Sequence, residues 1–290
     1  VAVARDSRAL VSGDPRPVAA GRLDDPAARE VARATAVLHD LLDRVGPRLL
    51  AAAGAVEVEA KSDGTPVTVE DRETDERLVA GLTGALAGHG AVSEETSRTV
   101  PGTDWTWVLD PIDGTSNFIA GVPFWCVSVA LCREGSPVLG VVDAPALGFR
   151  AVATAGGGAR TAAGPLRVGR AVDPTDRRNA HVPALYSGGA ARRMIAGGAV
   201  LNARLLGSTA LDLVMVARGS APLAVTLAPH VWDVAAGALL VLEAGGACAG
   251  FGAAPLLPLV PGTDMTDRVD ATVAAADAEL AARAVAIARG

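Results

Sequence analysis

The sequence contains a single lysine, Lys61, and few aromatic side chains: four tryptophans, four phenylalanines and one tyrosine among 290 residues. Because aromatic residues make up only 3% of the chain while hydrophobic residues make up 50%, the core must be built from alanine, valine and leucine. A chain of this length and apolar content can bury a substantial core, either in one large domain or in two modest ones.

Positive charge is also scarce. The chain carries 26 Lys and Arg residues against 32 Asp and Glu residues, for a formal net charge of -6. Nonspecific nucleic-acid binding relies on basic surface, so we expect no nucleic-acid partner. An anionic substrate would need local positive charge, which a bound metal ion can supply.

Cysteines are few, and long apolar runs are missing. Cys126, Cys132 and Cys248 form no CxxC pair, which favours small buried thiols over a disulfide framework or a zinc site. No apolar stretch has membrane-spanning length, and residues 1–25, rich in Pro, Gly, Asp and Arg, lack the apolar core of a signal peptide. We therefore expect a cytoplasmic protein with no membrane partner, in which residues 1–25 form a flexible N-terminal arm.

Hydrophobic periodicity predicts helices and strands in an irregular order. The helices are predicted over residues 26–53, after Asp71, and over 209–217, 231–244 and 274–288. The strands are predicted over 105–109, 150–154 and 223–227, with a hairpin of 125–133 and 137–142 closed by 134–136. Because this order is not a regular βαβ alternation, we expect a layered α/β or α+β sandwich rather than a Rossmann sheet or a barrel. The Gly/Pro-rich region around 156–190 is the candidate boundary between a half over 26–165 and a half over 166–290.

The segment over residues 107–115, WVLDPIDGT, carries two acids at the end of a predicted buried strand. Pro111 fixes φ and lacks an N–H, so we expect the chain to turn there and to bring Asp113 back near Asp110. Two unpaired carboxylates in a partly desolvated cleft repel each other, and a hard divalent cation such as Mg²⁺ removes that repulsion. The carbonyl of Ile112, between the two acids, is a natural further oxygen ligand.

The two residues that follow, Gly114 and Thr115, extend this interpretation. If a helix starts there, its free N–H groups favour an anion, and metal ligands directly before such a helix suggest a phosphate site. The alternative is that residues 110–114 form only a turn with Asx-type hydrogen bonds, since Asp-Gly turns are common.

Three further acids stand at the ends of predicted elements. Glu94 follows a second apolar strand pattern, Asp71 lies at the mouth of the second predicted helix, and Asp233 lies near the first turn of the helix over 231–244. Each has an ordinary explanation when taken singly: Asp71 and Glu94 as solvated acids, and Asp233 as a helix cap.

Taken together, these segments resemble the inositol monophosphatase family, within the lithium-sensitive, magnesium-dependent phosphatases that include folds of the fructose-1,6-bisphosphatase type. Residues 94–95, 110–115 and 232–237 match the family's GEE, DPIDGT and WDxAAG segments, and the resemblance covers roughly residues 30–250. DPIDGT with a downstream WD-helix is far more specific than either segment alone. The resemblance implies a five-layer αβαβα sandwich, usually a homodimer.

The resemblance also implies a role for each site residue. Two magnesium ions are implied, the first held by Glu94, Asp110 and the Ile112 carbonyl, and the second by Asp110, Asp113 and Asp233. Asp71, with Glu94, lies where a third, weaker ion or its waters would be held. Thr115 would orient the attacking water, and the Gly114 and Thr115 amides, with Lys61, would hold the phosphate.

The implied activity is phosphomonoester hydrolysis by in-line attack of a metal-activated water, without a phosphoenzyme. A metal ion neutralises the phosphate, lowers the pKa of the attacking water and stabilises the leaving alkoxide. The histidines His39, His89 and His181 are predicted to be surface or core residues without a catalytic role. His230 is expected to line the site or to orient Asp233.

In the family, the loop over 207–210 and the segment before the WD motif contact the alcohol, which implies Ser208, Thr209, Thr226 and His230 as substrate-binding residues. Inositol-hydrolysing members tend to carry Glu where this sequence has Thr226, and a threonine cannot accept two hydroxyl donors as a carboxylate can. We expect a small polyol, cyclitol or sugar phosphate, such as inositol 1-phosphate.

Two alternative substrates and two alternative protein classes stay open. The segments DGTPVT over 63–68 and GVVDAPAL over 140–147 resemble histidinol-phosphate phosphatases, and the first also resembles 3′,5′-bisphosphonucleotide phosphatases. A non-catalytic scaffold is disfavoured by the full set of carboxylates. A metal-storage protein is disfavoured because it would have no use for the anion-binding Gly-Thr segment.

Overall fold

The computed structural model describes residues 23–60, 64–251, 257–266 and 271–289. The helices are α1 Asp25–Ala52, α2 Val69–Ala85, α3 Thr115–Ala120, α4 Gly188–Ala196, α5 Thr209–Ala217, α6 Val231–Glu243 and α7 Ala278–Arg289. The strands are β1 Val58–Ala60, β2 Pro66–Thr68, β3 His89–Ser93, β4 Trp105–Asp113, β5 Cys126–Arg133, β6 Ser136–Ala144, β7 Phe149–Thr154, β8 Gly158–Thr161, β9 Gly164–Pro165, β10 Pro183–Tyr186, β11 Asn202–Arg204, β12 Leu223–Leu227, β13 Ala247–Phe251 and β14 Ala271–Ala275. Lys61 and residues 1–22 of the predicted arm lie outside the described residues.

The described strands form two large sheets and one small one. The first large sheet has seven strands in the order β3-β4-β5-β6-β7-β8-β9, and the second has five in the order β11-β10-β12-β14-β13. In the first sheet only the β3–β4 pair is parallel, whereas in the second β10 runs parallel to both β11 and β12. Strands β1 and β2 form a separate antiparallel pair.

Helices cover the outer faces of both sheets and fill the space between them. Helices α1 and α2 pack on one face of the seven-stranded sheet, α5 and α6 lie between the two sheets, and α4 and α7 cover the far face of the five-stranded sheet. Three apolar cores result: one between α1, α2 and the seven-stranded sheet, one around α5 and α6 between the two sheets, and one between the five-stranded sheet and α4 and α7. All three are built largely from Ala, Val and Leu. The predicted αβαβα sandwich is therefore confirmed.

The long first helix shows how sequence pattern becomes packing. Asp24 caps α1 by accepting a hydrogen bond from the Ala27 amide at 2.9 Å. Its apolar stripe is fully buried, and each buried leucine contributes about 1.5–3 kcal/mol relative to exposure; the stripe consists of Val31, Ala34, Leu38, Leu42, Val45 and Leu49. This packing fixes α1 against the seven-stranded sheet.

The predicted hairpin is present as β5 and β6. Its two connecting residues, Glu134 and Gly135, both have positive φ, 50° and 79°. Two positive φ values are typical of the tight turn whose twist matches that of the flanking strands. The hairpin places β5 beside β4, the strand that carries DPID.

The predicted terminal helix needs correction. It was expected over 274–288 but begins only at Ala278, because residues 271–275 pair with β12 and β13 as β14. Asp277 then caps α7 by accepting from the Leu280 amide at 2.8 Å. An alanine-rich run does not reveal this division, since sheet pairing decides it.

Among the described residues, no helix has both the length and the apolar composition needed to cross a membrane.

Candidate active site

A β-bulge in β4 sets the positions of the two DPID acids. Asp110 pairs with Ser128 and Asp113 with Cys126, so three steps along β4 match two steps along β5. In a regular strand, residues three apart point to opposite faces, and the extra residue brings both side chains to one side. The predicted turn at Pro111 is thus wrong: the strand continues to Asp113, and Pro111 lies in the bulge, where its missing N–H breaks no ladder bond.

The short helix α3 begins directly after this bulge, so the helix start that the sequence analysis considered at Gly114 and Thr115 is present. Gly114 precedes it with φ +93°, and a Cβ there would lie 3.1 Å from the Phe124 carbonyl oxygen and 3.2 Å from that of Gly207. The Thr115 hydroxyl lies 3.0 Å from the Ile112 carbonyl oxygen and 3.3 Å from Asp71 Oδ1. A hydroxyl has one proton, so Thr115 donates to one of these oxygens at a time.

Asp233 reaches the same point from the central helix layer. It is the third residue of α6, and its Oδ2 accepts from the His230 amide at 2.8 Å. One carboxylate oxygen from each of Asp110, Asp113 and Asp233 lies within 4.8 Å of the others. Of the residues that the structure describes, this is the one such group of three acids, cysteines or histidines.

Asp113 also ties the bulge to α5. Its carboxylate accepts from the Ser208 hydroxyl, from the Ala210 amide at 2.7 Å and from the Thr209 amide at 3.3 Å. Ser208 was expected to contact the alcohol, but the structure places it beneath the cleft, 2% exposed, as the cap of α5. Thr209 does line the cleft.

Ionising the buried carboxyl groups of the acid cluster costs free energy. Burial raises the pKa of Asp110 well above its usual range, and the neighbouring charges of Glu94 and Asp113 raise it further. Burial raises the pKa of Asp113 to about 6, although the hydrogen bond from Ser208 lowers it. Oxygen-rich, mutually repelling carboxylates of this kind fit a hard divalent cation.

Asp71 lies behind the cluster at the start of α2. It is 1% exposed, and its Oδ2 accepts from the Thr68 amide and the Thr68 hydroxyl, both at 2.7 Å. Burial raises its pKa to about 6, against the lowering effect of these hydrogen bonds. Asp71 therefore meets the site through Thr115 rather than as part of the cleft wall.

Glu94 follows β3 and lines the cleft, with its amide 3.2 Å from the Leu109 carbonyl oxygen. The turn that carries it rests on Asp75, a residue that sequence analysis missed. Asp75 is fully buried, and its Oδ2 accepts from Ser93 Oγ at 2.9 Å and from Thr96 Oγ1 at 2.6 Å. Its position four residues after Asp71 on one helix face was the available signal.

The cleft around these acids has a volume of about 850 Å³. Besides the acids and Gly114, its lining includes Gly207, Thr209, Thr226, Leu227, Pro229 and His230. His230 stacks on Trp232 with ring centroids 4.7 Å apart, and its Nδ1 lies 3.9 Å from Asp233 Oδ2. Thr226, 6% exposed, adds no carboxylate to this lining.

A second groove, of about 980 Å³, lies between α1 and β7 and is slightly larger. Its charged residues include Asp43, Asp143 and Arg150, but Arg150 already pairs with both acids, at 2.9 Å to each. Chemistry rather than size therefore selects the cleft with the acid cluster.

Comparison with known proteins agrees with this geometry. A family model described as "Inositol monophosphatase family" matches residues 29–287. An "Inositol-1-monophosphatase" of Mesorhizobium japonicum is 36% identical over 198 residues, which cover 66% of this chain and 74% of that protein. A "Histidinol-phosphatase" of Mycobacterium tuberculosis is 34% identical over 221 residues, covering 71% of this chain and 83% of that protein.

Solved structures show the same likeness. An IMPase of Thermotoga maritima superposes with a TM-score of 0.73 at 28% identity, covering 86% of this chain and 96% of the other. The extragenic suppressor protein suhB of Bartonella henselae gives 0.74 at 25% identity, covering 88% and 98%. The layered fold thus places the chain among sandwiches of the inositol monophosphatase and fructose-1,6-bisphosphatase type.

The chain belongs to the inositol monophosphatase family. It is accordingly a phosphatase, an enzyme that hydrolyses phosphoric monoesters.

Proposed function

We propose that the protein is a magnesium-dependent phosphatase of a small phosphorylated polyol, cyclitol or sugar, such as inositol 1-phosphate. The observation that carries this proposal is the convergence of Asp110, Asp113 and Asp233 on one cleft, although two come from a sheet strand and one from the central helix layer. Membership in a magnesium-dependent family supports the choice of metal.

Two magnesium ions are proposed, and a metal site is supported by the carboxylate oxygens of Asp110, Asp113 and Asp233, which lie within 4.8 Å of one another. Glu94, Asp110 and the Ile112 carbonyl would hold the first, and Asp110, Asp113 and Asp233 the second. Mg²⁺ held there would neutralise the phosphate and lower the pKa of the attacking water. A third, weaker ion or its waters would lie at Asp71 and Glu94.

The phosphate would be held by the Gly114 and Thr115 amides at the start of α3, with Lys61 as a further cation. Thr115 Oγ1 lies 3.3 Å from Asp71 Oδ1, which supports a path for the proton of the attacking water. In this path the water donates to Thr115 Oγ1, and Thr115 donates to Asp71. A pKa of about 6 suits Asp71 to accept a proton near neutral pH.

The leaving alcohol would contact Thr209, Thr226 and His230, which line the cleft beside Asp233. Histidinol phosphate is the second candidate substrate. It is favoured by the similar identities of relatives named for inositol 1-phosphate and for histidinol phosphate, and by Thr226, which removes the carboxylate expected for inositol hydroxyls.

Phosphate release from a substrate panel tests the proposal. The panel contains inositol 1-phosphate, histidinol phosphate and adenosine 3′,5′-bisphosphate, each with Mg²⁺ and with a chelator. We expect Mg²⁺-dependent release that is greatest with the first. Folded protein that releases phosphate from none of them would favour a scaffold, and preferential release from histidinol phosphate would reassign the substrate.

Family resemblance also supports a cytoplasmic homodimer. Sedimentation equilibrium of the purified chain tests this assembly, and a mass of one chain at assay concentration would contradict it.

A further inference from the structure

The cleft contains a positively charged side chain, Arg98, to which the sequence analysis assigned no role. Of the residues that the structure describes, Arg98 is the only lysine or arginine among those lining the cleft, where it lies with Glu94, Asp233 and Thr266. It is partly buried and follows β3 by five residues, on the same turn as Glu94.

The position of Arg98 is fixed from three sides. Its Nε donates to the Glu94 carbonyl oxygen at 3.0 Å, and its Cζ lies 5.9 Å from the ring centroid of Trp232. Its own carbonyl oxygen accepts from the Met265 amide at 2.8 Å. Stacking on an aromatic face orients a guanidinium without using its outer donors.

The two terminal nitrogens of Arg98 have no hydrogen bond or ion pair within the described part of the chain. The hydrogen bonds that Asp264 Oδ1 accepts from the Thr266 hydroxyl and amide lower the pKa of Asp264, and the charge of Arg98 adds a smaller lowering without an ion pair. An oriented guanidinium with unused outer donors can bind an anionic oxygen in bidentate fashion.

The rest of the cleft does not favour a cationic alcohol. The wall that would face the alcohol contains Leu205, Thr226, Leu227 and Pro229, none of which is an acid. Among the described lining residues, a positively charged alcohol would therefore meet Arg98 with no carboxylate outside the metal cluster to compensate.

We infer that Arg98 binds an anionic oxygen of the substrate, and that it selects for acidic phosphomonoesters where this oxygen belongs to a second anionic group. This inference rests on the proposed phosphatase function. The anionic oxygen could belong to the reacting phosphate or to the second group, and the two sources give different results below.

The test compares wild-type protein with Arg98→Gln on two matched substrates, 3-phosphoglycerate and glycerol 3-phosphate, which differ by one carboxylate. If Arg98 binds the carboxylate, Arg98→Gln should lower kcat/KM for 3-phosphoglycerate about tenfold or more and leave glycerol 3-phosphate unchanged. If it binds the reacting phosphate, kcat/KM should fall for both substrates, and inorganic phosphate should bind about tenfold more weakly in calorimetry.

Arg98→Lys and a surface control separate binding from structure. Arg98→Lys keeps the positive charge but lacks the two terminal nitrogens that bind an anion in bidentate fashion. It should therefore restore part of the kcat/KM that Arg98→Gln loses. Arg44→Gln, on the exposed face of α1, should behave like wild type. Because Arg98 also contacts Glu94, the Mg²⁺ dependence of turnover is the readout for a merely structural role, and it should not move.

Equal kcat/KM of Arg98→Gln and wild type on both substrates, with unchanged phosphate binding, would overturn the inference, as would a change confined to the Mg²⁺ dependence. Wild-type protein that turns over neither these substrates nor the panel above would instead refute the proposed function. In that case, phosphate binding measured by calorimetry still tests Arg98, and equal binding by Arg98→Gln and wild type would overturn its role.

Discussion

At the residue scale, Asp110 shows how burial makes a carboxylate favour a compensating charge. It is 2% exposed and is close enough to other acids for their charges to raise its pKa. An unpaired carboxylate in such a place lowers stability unless a proton or a cation compensates it. The site therefore favours a compensating proton or cation.

We expect Asp110→Asn to lower kcat by about a thousandfold or more, because Asp110 would serve both metal ions. The fold should persist, since asparagine has nearly the same shape and removes a repelling charge. Phosphate release and thermal unfolding measure the two effects. Turnover near the wild-type rate would contradict the metal assignment.

Asp143→Asn is the matched control, because Asp143 is also a buried acid of the seven-stranded sheet but pairs with Arg150 at 2.9 Å. It should lose some stability and keep kcat, since it removes the more buried of the two acids that pair with Arg150 and leaves only Asp43. Loss of kcat in both variants would show that removing any buried carboxylate from this sheet is harmful.

The raised pKa values predict how Mg²⁺ stabilisation depends on pH. Asp71 and Asp113 have folded-state pKa values of about 6, above the 3.8 of the free side chain. The metal-free folded protein thus binds more protons than the unfolded chain between these values, and these two groups lower its stability as pH rises through that window. Mg²⁺ competes with those protons.

Saturating Mg²⁺ should therefore raise Tm more at about pH 8 than at about pH 5. Thermal unfolding with Mg²⁺ and with a chelator measures the difference at each pH. Asp110→Asn should show a much smaller response at both. An equal rise in Tm at the two pH values would refute the link between the acid cluster and Mg²⁺.

Thr226 tests the alcohol end of the cleft. Thr226→Glu should increase kcat/KM for inositol 1-phosphate, because a carboxylate accepts two hydroxyl donors where threonine accepts less well. Thr226→Gln is the control, because glutamine is similar in size to glutamate but uncharged. It should give a smaller increase in kcat/KM for inositol 1-phosphate. No gain from glutamate would mean that position 226 does not face the alcohol.

At the scale of elements, the site depends on a bulge followed by a left-handed glycine. The bulge turns Asp110 and Asp113 to one side, and Gly114 then allows α3 to begin at once. Nothing larger than hydrogen fits at position 114 without moving the backbone of Phe124 or Gly207.

Gly114→Ala should lower the free energy of unfolding by more than the about 1–2 kcal/mol typical of a left-handed alanine, because crowding adds to the backbone cost. Gly245→Ala is a close control: Gly245 has φ +91°, and nothing lies within 4 Å of the point that a Cβ would occupy there. Chemical denaturation should show a larger loss at 114 than at 245. Equal losses in the free energy of unfolding would mean that the backbone around Gly114 can move to accept a Cβ without a further loss of stability.

The elements whose sequence signals are local were predicted correctly. Strand β12 and helix α5 were predicted with their observed limits, since Ser208 supplies a cap and the apolar run of β12 is short and bounded. The bulge at Pro111 was missed, because it exists only relative to the register of β5. Asp75 was missed because its partners Ser93 and Thr96 belong to another part of the chain. Arg98 was missed because its contacts with Trp232 and Met265 exist only in the packed structure.

At the scale of the whole molecule, the cleft lies where three layers meet. The seven-stranded sheet supplies Asp110 and Asp113, the central helices supply Asp233, and the five-stranded sheet supplies Thr226. The hydrogen bonds from α5 to Asp113 join the first two layers at the acid cluster itself. The predicted halves over 26–165 and 166–290 would therefore each carry an incomplete site, a division that stays a prediction.

The claim that Asp110, Asp113 and Asp233 hold a metal ion is tested most directly by a crystal structure of the protein with inorganic phosphate and Mn²⁺, a Mg²⁺ substitute visible by anomalous scattering. We predict an anomalous peak between Asp110, Asp113 and Asp233, with carboxylate oxygens at about 2.1 Å and phosphate beside Gly114. No peak there, at a Mn²⁺ concentration that supports phosphate release, would contradict the claim.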